Sequence, residues 1–97
     1  MSPEYGIRAL AKILLNYESN YGINTVRGIV TRWATPSEND TDSYAAHLAK
    51  NLGVGLDTPI NVRAALPVLV STIIQHENGL NPYSADTLNR GIAMAVA

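Results

Sequence analysis

The chain has 97 residues, 46% hydrophobic and 15% charged, and seven Lys and Arg against eight Asp and Glu leave a formal charge of −1. Residues 1–97 fit one domain, the composition excludes a disordered chain, and there is no basic surplus for nonspecific nucleic-acid or anionic-membrane binding. The absence of cysteine excludes disulfides, thiolate metal sites and Cys nucleophiles, and no apolar run reaches the ~20 residues that span a bilayer.

Met1-Ser2-Pro3-Glu4 lacks the pattern of a signal peptide and reads as a helix start. Ser2 is placed to accept from a first-turn amide, Pro3 fits the first helical position, and Glu4 suits the positive end of the dipole. Ile7, Leu10, Ala11, Leu14 and Tyr17 then recur at helical spacing, with Glu4, Arg8, Lys12 and Asn16 on the wet side. Asn20-Tyr21-Gly22 ends this helix. A second helix is expected from Thr25 to Trp33, capped by Asn24, with Val26, Ile29, Val30 and Trp33 inward. The stretch 34–40 reads as a loop stopped by Pro36.

A third helix runs from about Asp42 to Leu52, with Tyr44, Ala45, Leu48 and Leu52 on one side and Gly53 as its C-cap. After the turn residues Asp57-Thr58-Pro59, a single turn is expected near 62–65. A main fourth helix follows from Leu66 to Asn78, with Pro67 in its first turn. It carries Leu66, Leu69, Val70, Ile73 and Ile74, the densest apolar stripe in the chain, so it is expected at the centre. Ser84 caps a last helix from Ala85 to about Ala95, with Leu88, Ile92 and Val96 inward. No strand is predicted. The fold class is all-α: about five short helices around one core.

Among the acidic residues, Glu77 has the most informative context. It continues the stripe of Val70 and Ile73 and falls in the last turn of its helix. Partial burial and the negative end of the dipole would both disfavour its anion, as a general acid near neutral pH requires. The plain alternative is a helix-terminal Glu reaching water or an Arg. His76 diverges from Glu77 by ~100° around the helix and reads as a cation at a helix C-terminus. His47 and His76 have no tight spacing, and no metal site is expected from them. Glu38-Asn39-Asp40-Thr41 reads either as capping or as a polar cleft rim, with Glu38 as a second carboxylate and Asn39 as a contact. Trp33 and Tyr44 flank it as core residues or as stacking platforms. No cofactor is implied, and neither a Ser-His-Asp arrangement nor a phosphate loop is present.

Three strings carry a family resemblance. They are Ser2-Pro3-Glu4-Tyr5-Gly6-Ile7-Arg8-Ala9-Leu10-Ala11; Ile23-Asn24-Thr25-Val26-Arg27-Gly28-Ile29-Val30-Thr31-Arg32-Trp33-Ala34 with Pro36-Ser37-Glu38-Asn39-Asp40-Thr41; and Ile73-Ile74-Gln75-His76-Glu77-Asn78-Gly79. Together they resemble the phage "structural protein" family related to the cystovirus virion lytic enzyme. The resemblance implies a lysozyme-like, lytic-transglycosylase-like domain that binds the glycan strand of peptidoglycan. Glu77-Asn78-Gly79-Leu80-Asn81-Pro82 is also similar to the Glu-Ser-Gly-Phe-Asn-Pro stretch of transglycosylases, whose Glu is the acid/base. That likeness assigns Glu77 as the acid, although it lies late in this chain. Glu38 would be the second carboxylate of a hydrolase, at ~5 Å for retention or ~6.5–9.5 Å for inversion. Asn39, Tyr44, Asn78 and Trp33 would contact the glycan. Action at the cell wall, from a virion or from the bacterial cytoplasm before release, is the implied setting.

Family members usually carry an Asn- and Gly-rich segment before the Ser-Pro-Glu helix, and this chain begins at that helix. The expectation is therefore weak or no lytic activity, an apolar patch near Tyr5 and Ile7, and weak self-association through the first helix. The alternative reading is a non-catalytic phage structural or interaction module on a degenerate lysozyme-like scaffold.

Overall fold

The computed structural model describes residues 2–34 and 41–97. Among them are five helices and no strand: α1 Pro3–Tyr21, α2 Val26–Trp33, α3 Thr41–Leu52, α4 Val62–Asn78 and α5 Ala85–Val96. The all-α class expected from the periodicities is the observed one.

Local chemistry sets the helix ends. Pro3 opens α1, as expected, but the Ser2 side chain makes no capping bond; its carbonyl accepts from Tyr5 N–H at 3.2 Å instead. The helix closes at Gly22, whose φ of 66° few side chains tolerate. There the Gly22 and Ile23 N–H groups turn back to the carbonyls of Glu18 and Tyr17, both at 3.0 Å. The cap of α2 is Thr25, not Asn24: its Oγ1 accepts from Gly28 N–H at 3.1 Å. The Asn24 carbonyl has a different partner, the Ile60 N–H at 2.8 Å. That bond, with Arg27 N–H to the Leu56 carbonyl at 3.0 Å, pins the α3–α4 connection onto the start of α2. An exposed pair of bonds from Arg27 to Asp57, at 2.8 and 3.1 Å, lies over the same junction.

The expected single turn and fourth helix are one element. Asn61 Oδ1 accepts from Ala64 N–H at 3.1 Å, and the helix continues through Pro67. Proline there removes one donor and crowds the preceding turn. The helix tolerates this because Val62 and Leu66, one turn apart, are both fully buried, while Pro67 itself faces water. Burial of such side chains stabilises by roughly 1.5–3 kcal/mol each.

α4 is central. It packs against α1, α3 and α5, while α2 packs on α3. Leu69, Val70 and Ile73 are deeply buried, as the apolar stripe predicts. α1 runs against α5 at very short range. A Cβ on Gly91 would lie 2.5 Å from Ile7 Cγ2 and 2.9 Å from the Glu4 carbonyl oxygen, so only glycine fits this crossing. Gly91 and Ala95 are therefore the buried positions of α5, and Leu88, Ile92 and Val96 are only half-buried. This contact also changes the expected patch on α1. Ile7 is 2% exposed beneath α5, and only Tyr5, 56% exposed, stays open.

Candidate functional site

Three helix segments converge at one edge of the molecule: the end of α2, the middle of α3 and the last turns of α4. Each contributes polar groups from a position whose neighbours hold it in the core. Trp33 follows the buried Ile29 and Val30. Tyr44 begins the inward face of α3, shared with Leu48. His76 and Glu77 follow the buried Ile73 and Ile74.

The Trp33 indole N–H donates to Glu77 Oε1 at 3.2 Å. Tyr44, 2% exposed, stacks on His76 with ring centroids 4.0 Å apart and planes 6° from parallel. Its hydroxyl is buried and has no hydrogen-bond partner among the described residues, and the same holds for the Thr41 hydroxyl. Burial, helped by the nearby Glu77 charge, pushes the Tyr44 phenol far above its ordinary value. The Trp33 indole N–H, committed to Glu77, opposes that shift without reversing it.

Next to this group lies a second one. His47 Nδ1 and His76 Nε2 are 2.7 Å apart. His47 Nε2 faces the Asn51 amide nitrogen at 3.3 Å, and that nitrogen also donates to Thr72 Oγ1 at 3.0 Å. Thr72 is buried. A recess of about 300 Å³ lined by His47, Gln75, His76 and Gly79 opens beside the pair. The His76 ring is held below its ordinary value, first by burial and then by the neighbouring His47, with Glu77 acting the other way. The expected helix-terminal cation is thus disfavoured at this position.

The structure brings together three of the residues singled out from the sequence: Trp33, Tyr44 and Glu77. Glu77 is exposed, not partly buried. At the end of α4 the stripe of Val70 and Ile73 runs past the packed helices, and among the described residues the Trp33 indole meets the carboxylate. Asn78 turns to a different place, a recess of about 340 Å³ between α1 and Tyr83, with Gly6, Leu10 and Ile74 in its wall. Glu38 and Asn39 lie outside the described residues, as does the rest of the expected loop after Ala34.

Sequence reasoning missed the His47–His76 pair and its support from Asn51 and Thr72. A signal was present: His47 with Asn51 and Thr72 with His76 are each four apart, so each pair occupies one face of its helix. Two polar pairs of this kind on helices rich in apolar residues are candidates to face each other.

No family model matches the chain. It is similar to Protein P5 of Pseudoalteromonas phage PM2, with 39% identity over 90 residues, or 93% of this chain and 56% of that protein. The chain spans a little over half the length of this curated relative, a bacteriophage protein.

Proposed function

We propose that the chain is a helical module of a phage structural protein and that it works by binding, without breaking bonds in its partner. The observation that carries this reading is the 39% identity to a phage protein across nearly the whole chain. The geometry of Glu77 supports it. A glycosidase acid works in a cleft that seats the sugar and excludes bulk water. Glu77 stands exposed at a helix end, and the recesses lined by its neighbours Asn78 and His76 do not include it among their described lining residues. The binding edge would be the one that carries Trp33, Tyr44, His76 and Glu77, and the setting would be a virion.

One contact favours a second reading, in which the partner is the peptidoglycan glycan strand. An indole beside a carboxylate offers a sugar both an apolar face and a hydrogen-bond acceptor, and Trp33 and Glu77 are in direct contact. Co-sedimentation with purified peptidoglycan and turbidity clearing, each with the wild-type chain and Glu77→Gln, separate the readings. The binding module predicts no clearing by either protein. Sedimentation that Trp33→Ala abolishes identifies the glycan as the partner. Clearing that is lost in Glu77→Gln overturns the non-catalytic reading and restores Glu77 as a general acid.

A further inference from the structure

The His47–His76 pair has the features of a built arrangement. Each ring is held by a different neighbour: His47 by Asn51, itself anchored on the buried Thr72, and His76 by the flat stack on the buried Tyr44. The rings come from different helices, and their nitrogens point at each other across 2.7 Å. The recess beside them admits solvent. Two imidazole nitrogens from different helices that face each other at this distance suit a borderline divalent cation.

We propose that His47 and His76 form a two-histidine site for a late first-row divalent cation, with zinc as the probe, that clips α3 to α4. In a tetrahedral site with metal–nitrogen bonds of ~2.0–2.1 Å the two nitrogens stand ~3.4 Å apart. The pair must therefore open by about 0.7 Å from its 2.7 Å contact. His47 is half-buried and His76 exposed, so His47 can swing outward while His76 keeps its stack on Tyr44. The proton count balances in the neutral state. With the Asn51 amide nitrogen toward His47 Nε2, His47 carries its proton on Nδ1 and donates it to His76 Nε2. On metal binding that proton moves to Nε2, and the Asn51 amide turns its oxygen to accept it. Metal-bound histidines usually have such an outer partner. Among the described residues no third His, Cys, Asp or Glu joins the pair as a ligand group, so water takes the other positions.

Calorimetric titration of the 97-residue chain with zinc chloride at pH 7.5 should show one saturable site, and the melting temperature should rise with zinc. His47→Ala and His76→Ala should each lose the site, and Asn51→Ala should weaken it about 10–100-fold. Because a variant could lose its fold, the wild-type chain supplies an independent test. NMR signals of the His47 and His76 rings should move or broaden first as zinc is added. No saturable zinc binding, binding that survives either histidine substitution, or first shifts at other residues would each overturn the proposal.

Discussion

The two parts of α4 show opposite uses of one helix. From Val62 to Ile74 it is a core element: seven of its residues are buried, and Thr72 is the sole polar one. From Gln75 to Asn78 every residue is exposed. Here the helix presents His76 to His47, Glu77 to Trp33 and Asn78 to the recess beside α1. The sequence period does not change at this boundary. What changes is the supply of neighbours: α1, α3 and α5 cover the first part, while among the described residues the second meets the edges of α1, α2 and α3. Rigidity in the first part is what lets the second hold side chains at fixed positions.

The largest expected effect tests the core part. Ile73→Ala removes a fully buried side chain from the middle of α4 and should cost about 2–5 kcal/mol. That is a large share of a small domain's stability, and chemical denaturation measures it. A cost below 1 kcal/mol would mean that α4 is not the tightly packed centre.

Gly91→Ala probes the other dry contact. The new methyl would meet Ile7 at 2.5 Å, and overpacking of this kind should cost about 1–3 kcal/mol. A companion Ile7→Ala should recover part of the loss in the double variant, because the clash is with that side chain. Additive losses would argue that the α1–α5 approach is looser.

The polar part should show itself through pH. Burial and His47 hold the His76 ring below its ordinary value of 6.5, so the unfolded chain takes up this proton more readily than the folded one. Stability from this group is present above about pH 6.5 and falls as pH drops below that value. Denaturation midpoints should decline between pH 7.5 and pH 5.5, and His76→Gln should flatten the decline. A midpoint that rises on acidification would contradict the depressed value.

The smallest effect is expected at Tyr44. Its hydroxyl is buried without a partner among the described residues, so Tyr44→Phe removes a group that none of them satisfies and keeps the stack on His76. Stability should change by less than about 1 kcal/mol, or improve. A loss above about 2 kcal/mol would show that the hydroxyl has a bonding role.

The comparison also marks what local sequence could and could not report. Helix positions were legible because the apolar 3.6-residue period and the punctuating Gly22, Gly53 and Gly79 act within a few residues of chain. The helical class and the burial of Leu69, Val70 and Ile73 followed from that. Errors arose where two local signals compete. Asn24 and Thr25 are both good caps, and only the backbone path decided for Thr25. Pro67 looked like a helix start, yet burial of Val62 carries the helix past it.

Which surfaces meet depends on crossing angles and distances between helices, and no periodicity within one helix encodes these. The tertiary structure therefore set Gly91 against Ile7, turned Glu77 outward to the Trp33 indole, and sent Asn78 to another recess. It also joined His47 and His76, 29 residues apart in the chain, at 2.7 Å. The sequence by itself determined an all-helical domain with a dry central helix, because helix periods and caps are short-range. The edge where side chains from α2, α3 and α4 converge was decided only by packing, because it needs three helices in place at once.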